Sequence, residues 1–299
     1  MDHRAFLASL SPEERRAFDA PTNRHGLARL ALHFGAIAAL GTLIGLRVPL
    51  WPLLMVPQGI LLVFLFTLLH ETSHRTAFRT PWLNTIAGWL CAAILALPPA
   101  WFRFFHLAHH RHTHDPARDP ELATPKPETP GQYALHISGL PIWWSHLRTL
   151  ARNAAGRCDD AYIPAARLPQ ITGEARAMLA LYAALLLASL VARTPVLLFV
   201  WLLPLLAGQP FLRLFLLAEH GRCPHVANMF ENTRTTFTNA TIRALAWNMP
   251  FHAEHHASPN VPFHRLPALH RRARAHLRTT APGYAAFNRA YAATLRAEG

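Results

Sequence analysis

His106-Leu107-Ala108-His109-His110-Arg111-His112-Thr113-His114 puts five imidazoles into nine residues. On a helix, His106, His109 and His110 stand at i, i+3 and i+4 and leave from one face. The same spacing returns at His252-Ala253-Glu254-His255-His256, and a two-histidine version stands at His70-Glu71-Thr72-Ser73-His74. Neutral imidazole is a borderline ligand that suits iron, zinc, copper and nickel. Three such turns can surround a pair of metal ions, so a shared metal site is the first expectation. It constrains the fold at once, because the three turns must meet on one side of whatever separates them.

What separates them is apolar. Hydrophobic residues make up 52% of the 299-residue chain and only 15% are charged. The apolar residues come in long runs at 29–47, 53–69, 82–101, 177–192 and 194–212, the pattern of a polytopic membrane protein. Arg47-Val48-Pro49-Leu50-Trp51-Pro52 reads as a tight turn with an interfacial tryptophan, making the first two runs a helical hairpin. Arg193-Thr194-Pro195 divides the last two runs; Pro204, Gly208 and Pro210 are tolerable there if neighbouring helices satisfy the freed carbonyls. The polar first 25 residues carry no cleavable signal pattern and read as a short amphipathic or disordered leader, with Ser11-Pro12-Glu13-Glu14 as a helix start. Residues 265–299 read as a basic tail, and Ile142-Trp143-Trp144 as part of a helix in the headgroup region.

An apolar core about 30 Å thick separates the two faces of a bilayer, so the number of crossings decides which histidines can meet. The hairpin at 177–212 returns the chain to its starting face, and His110 and His252 agree. A single crossing at 82–101 would put His74 and His106 on opposite faces. That segment is therefore expected to dip in and turn back, or to lie along the interface. The expectation is an all-α integral membrane protein in one domain, 1–299, with about four transmembrane helices in two hairpins, a re-entrant or interfacial segment, and a helical cap carrying the site.

The formal charge is +13, with Lys126 the only lysine. The basic residues flank the apolar runs and form no aromatic-interleaved patch, which argues against nucleic acid as a partner. Of the 29 basic residues only Arg47 and Arg193 fall in the expected outer loops. The positive-inside rule then puts the histidine turns and both termini in the cytoplasm, in a membrane of the bacterial inner-membrane type. Cys91, Cys158 and Cys223 are far apart and read as free thiols.

Two other chemistries compete for these residues. His70-Glu71-Thr72-Ser73-His74 matches H-E-x-x-H, in which the glutamate of a zinc protease is the general base. That reading leaves the other two turns unexplained, and eight clustered histidines exceed the three ligands of a catalytic zinc. A metal transporter would place its ligands near the bilayer midplane, whereas these lie beyond the helix ends. Isolated histidines have a bland default: His33 as an interhelical hydrogen-bonding residue, and His3, His25, His136, His146, His225, His264, His270 and His276 as ordinary surface or interfacial residues.

The three boxes at His70/His74, His106/His109/His110 and His252/His255/His256, in this order around two hairpins, resemble those of the membrane fatty acid desaturase and hydroxylase superfamily. Asp115-Pro116-Ala117-Arg118-Asp119-Pro120-Glu121-Leu122, Asn248-Met249-Pro250-Phe251 and Pro259-Asn260-Val261-Pro262 reinforce the likeness. The resemblance implies a non-haem di-iron centre that uses O2 and takes hydrogen from an unactivated C–H bond. It implies the eight box histidines as ligands, with His220 at the end of the last membrane helix as a ninth. The expected activity is a fatty acyl or lipid desaturase, with a hydroxylase or ketolase on alkyl chains or carotenoids as the alternative.

Ligating imidazoles need acceptors for their second N–H, and Glu71, Asp115, Asp119, Glu219 and Glu254 are candidates. His112 and His114 read as supporting or surface residues. Arg234 can serve a substrate headgroup, a carboxylate or the structure itself. No haem, iron–sulfur or dinucleotide motif is visible. Electrons are therefore expected from a separate donor such as a ferredoxin, docking on the basic face, and a hydrophobic substrate from the bilayer.

Overall fold

The computed structural model describes residues 1–296. Among the described residues four helices are long and apolar enough to cross a membrane, and the chain is an integral membrane protein of the all-α class with one short strand pair. The first spanning helix, α1 (Asn23–Gly45), is capped by the Thr22 hydroxyl and leads through Arg47 and Leu50, both with positive φ, into α2 (Trp51–His74). The expected run at 53–69 thus continues to His74, and the first histidine box is the last turn of a membrane helix.

The segment expected to turn back is two helices, α3 (Pro81–Leu95) and α4 (Pro99–His112), bent by 99° at the intervening break. Pro98 and Pro99 explain the break, since a residue preceding proline is pushed out of the helical region. Glu174 then accepts from the Ala100 N–H at 2.8 Å, a carboxylate placed where the orphan donors of a helix start point. Helix α5 (Leu140–Ala154) leaves Leu140, Trp144 and Leu147 exposed along one side, and α6 (Leu168–Val191) packs against α5 and α4. Leu186, Leu187, Leu190 and Val191 of α6 face outward, as lipid-facing residues do.

After a short π-helical stretch at Leu198–Leu202 comes α7 (Leu203–His220), which together with α2 forms the centre of the molecule. The two helices cross on glycines. A Cβ added at Gly59 would lie 2.0 Å from the Pro204 carbonyl, and one added at Gly208 would lie 2.2 Å from the Gly59 carbonyl. Small residues at such a crossing let two membrane helices approach backbone to backbone. His70 lies eleven residues beyond Gly59 and His220 twelve beyond Gly208, about 16–18 Å along each helix at 1.5 Å per residue. One crossing point therefore brings both histidines to the same level.

The polar segments fold back over that end. Thr235–Thr236 pairs in parallel with Thr280–Ala281, and α8 (His252–Ala257) carries the third box. The N-terminal residues, expected as a leader, form helices His3–Ser9 and Pro12–Phe18 that dock here, with Phe6 and Leu10 buried and Arg272 bonded to Glu14 at 2.8 Å. Residues of the expected tail do likewise: Leu266, Leu269, Ala273, Phe287 and Tyr291 are buried. Only the last three residues of that tail lie outside the described range.

Candidate metal centre

The folded chain gathers the sequence-predicted histidines into two sets. The donor atoms of His70, His74, His106, His110 and His255 lie within 4.8 Å of one another, as do those of His109, His220 and His256. Helix α2 supplies the first pair, the last turns of α4 supply His106, His109 and His110, α7 ends on His220, and α8 supplies the rest. The sets adjoin: the His110 and His256 rings stack at 4.0 Å. His252 belongs to neither set. Its ring is 4.6 Å from His256 and 5.1 Å from His220, and its Nδ1 is 3.5 Å from Glu219.

The chemistry of these nitrogens fits a metal. Both ring nitrogens of His70, His110 and His255, and Nε2 of His256, are buried with no protein partner. An unpaired buried polar atom costs about 1–3 kcal/mol, a steep penalty to repeat in one cluster unless something else satisfies them. Burial first, and then the neighbouring imidazoles, hold His252, His255 and His256 well below the usual histidine range. They are thus neutral and keep a free lone pair. Transition ions bind that form of histidine.

Of the five acidic candidates, two reach box histidines. Asp119 accepts from His109 Nδ1 at 2.9 Å and from the His114 N–H at 2.8 Å; Glu219 faces His252. Glu71 instead accepts from the Thr76 hydroxyl at 2.9 Å and the Phe263 N–H at 3.2 Å, tying the end of α2 to the loop after the third box. Glu254 is held by Thr235 and His270, bracing α8 against the strand pair. Asp115 pairs with Arg118 and the Ala117 N–H. Helical spacing aims residues on one face; i+1 and i+2 neighbours of a ligand point elsewhere, which accounts for Glu71 and Glu254.

Several bland readings need correction. Of the two readings of His114, supporting or surface, its place agrees with the first: it is buried beside His225 and His220. His270 is the Glu254 partner, and His3 bonds Asn228. His146 contacts the Leu95 carbonyl at 3.0 Å, and His264 stacks on His25 at 4.4 Å. His33 does bridge helices, meeting the Leu61 carbonyl at 2.9 Å and accepting from the Trp247 indole at 3.3 Å. Arg234 is structural: it donates to the Ala218 and Gly221 carbonyls at 2.6 and 2.8 Å and stacks on Phe287, fixing the end of α7 that carries His220.

Glu121 was not foreseen. Its Oε2 lies 3.3 Å from His109 Nε2, while its Oε1 takes the Lys126 ammonium at 2.5 Å. Burial opposes its ionisation, yet Lys126 and His109 hold it well below the ordinary carboxylate range. Its place two residues beyond the candidate Asp119 is the signal the sequence offers, since Asp119 both anchors His109 and accepts the Glu121 N–H at 2.9 Å.

A cavity of about 550 Å³ opens onto both histidine sets. Phe66, Trp101, Phe102, Phe105, Ile142 and Leu216 form its apolar wall, and Glu121, Lys126 and Arg213 stand among its polar groups. Volumes of this order suit a small or medium ligand.

Residues 46–288 match the family model for fatty acid desaturases. The chain belongs to that family, which makes it an oxidoreductase of the desaturase/hydroxylase type. It is 29% identical over 286 residues to a dihydrorhizobitoxine desaturase of Bradyrhizobium elkanii, covering 89% of this chain and 78% of that one. An oleate hydroxylase of Claviceps purpurea is 30% identical over 37% of this chain and 27% of its own. A chloroplastic temperature-sensitive sn-2 acyl-lipid omega-3 desaturase (ferredoxin) of Arabidopsis thaliana is 34% identical over 27% and 18%. The chain thus spans less than a third of the last two.

Proposed function

We propose that the protein is an O2-dependent di-iron enzyme that introduces a C=C bond into a hydrophobic acyl or lipid substrate. The observation that carries the reading is the convergence of eight histidines from four helices on two adjoining sets, with His252 beside them, at the end of a largely apolar cavity. Two irons held there would supply O2 activation and hydrogen removal from an unactivated C–H bond. His70, His74, His106, His110 and His255 would hold one, and His109, His220 and His256 the other, with His252 beside them. The protein's own share is positional. Asp119 fixes the tautomer and tilt of His109, Arg234 fixes the end of α7, and Phe66 and Phe102 keep water from the substrate chain.

Glu71 argues against the H-E-x-x-H protease alternative. A general base must reach the metal-bound water, and this carboxylate is turned to Thr76 and Phe263. Hydroxylation remains the second reading, favoured by the similarity to an oleate hydroxylase. For the membrane, the 99° bend between α3 and α4 supports a segment that turns back, so that all three boxes share the cytoplasmic face. The basic residues on that face suit an acidic electron donor of the ferredoxin kind. The test is lipid and fatty acid analysis of a host expressing the protein, beside iron analysis of the purified chain. Near two irons per chain and a new unsaturated product support the reading; a hydroxylated product moves it to the alternative, and zinc without iron refutes it. His109→Ala should abolish product without loss of membrane insertion.

A further inference from the structure

The charges that face the cavity do not balance. Glu121 is taken by Lys126 and His109, and Glu219 faces His252. Arg213 of α7 stands on the same wall, and among the described residues no carboxylate pairs with it. His136 and His146 share that wall and supply no charge of either sign, because burial pushes both down to about 4. A charged side chain on a membrane helix is costly unless a partner answers it. The cavity is left with one guanidinium that the fold itself does not answer.

That guanidinium is held in place rather than loose. Its Nε donates to Gln209 Oε1 at 3.2 Å, one turn earlier on α7. Gln209 is only 1% exposed and packs against Gly139, at the turn that opens α5. A Cβ added at Gly139 would lie 2.6 Å from the Gln209 side chain. With Nε engaged, the donors left are the two Nη groups, and among the described residues neither has a protein partner. Two parallel N–H donors on a fixed charge match the two oxygens of a carboxylate. An ester or thioester carbonyl offers one good acceptor and no charge.

Arg213 is also placed to serve the site. It precedes His220 by seven residues, close to two turns of about 3.6, so both leave the same side of α7 about 10 Å apart along its axis. We propose that Arg213 binds a carboxylate of the substrate, which makes that substrate a free carboxylic acid rather than an ester- or thioester-linked acyl group. This rests on the enzymatic reading above, which seats the substrate in the cavity that opens onto the histidines. A molecule held at Arg213 by its charged end lays its apolar part along Phe66, Trp101, Phe102 and Leu216 of the same cavity.

The test is calorimetric titration of the purified protein in neutral detergent with three compounds of equal chain: laurate, methyl laurate and dodecyl phosphate. Wild type should bind laurate at least about 10-fold more tightly than methyl laurate, as a charge-assisted pair allows. Arg213→Met should erase that difference by weakening laurate alone; unchanged affinity for methyl laurate in the same variant shows that its cavity is intact. Arg213→Lys keeps the charge without the fork and should keep an intermediate preference, and it decides the matter if Arg213→Met does not fold. Equal affinity of wild type for laurate and methyl laurate, or the full wild-type preference in either variant, overturns the proposal. Dodecyl phosphate bound more tightly than laurate also overturns it, in favour of a phosphate-bearing ligand. Iron and product analysis stays separate: protein that prefers laurate through Arg213 yet holds no iron keeps this site and loses the di-iron reading.

Discussion

Gly208→Ala touches no histidine and no part of the cavity, yet it should damage the site. The added Cβ would stand 2.2 Å from the Gly59 carbonyl oxygen and 2.9 Å from the Ile60 nitrogen. Ordinary contact begins near 3.4 Å, so α2 and α7 must separate by about 1.2 Å at their crossing. Both obstructing atoms are backbone and cannot rotate away. Overpacking of this kind costs about 1–3 kcal/mol, which for a chain of this length is a fall on the order of 5 °C in melting temperature. His70 and His220 ride on the two helices about 16–18 Å from the crossing. Ligand positions in a metal site tolerate about 0.2 Å, and a misplacement near 1 Å costs about 100-fold in rate. The assay is thermal melting in detergent together with turnover and bound metal. Gly35→Ala is the control, because a Cβ there meets nothing within 4 Å and alanine favours a helix by about 0.5–1 kcal/mol. Equal melting temperatures and equal turnover in the two variants would refute the crossing argument.

Asp119→Ala should weaken metal retention about 10–100-fold, measured by competition with a chelator, because it removes the acceptor that fixes His109. Arg234→Leu strands the Ala218 and Gly221 carbonyls; a destabilisation of about 2–3 kcal/mol is expected from unfolding of the end of α7, and unchanged hydrogen exchange at residues 217–221 would contradict it. Protease-accessibility mapping should find residues 113–164 and 221–296 on one face of the membrane, and opposite faces would end the shared-site reading.

The histidine spacings and the apolar runs were enough to specify helices, about four of them fit to cross a membrane, and a break in the segment at 82–101. Both signals are periodic and local: i, i+3, i+4 places side chains on one face whatever the rest of the chain does, and apolar runs of this length have few uses outside a bilayer. The helix lengths were read short because histidine and glutamate at positions 70–74 look like a boundary, whereas the fold buries them. Which acid serves which imidazole was not legible. Glu254 turned to Thr235 and His270, Glu71 to Thr76 and Phe263, and Glu121 took the place beside His109. A carboxylate's partner is chosen by what tertiary packing brings within about 3 Å, and glycine crossings such as Gly59 on Gly208 decide that between residues more than a hundred positions apart. Sequence determined which faces carry the chemistry; only the packing of α2, α4, α7 and α8 decided how those faces divide into two unequal sites.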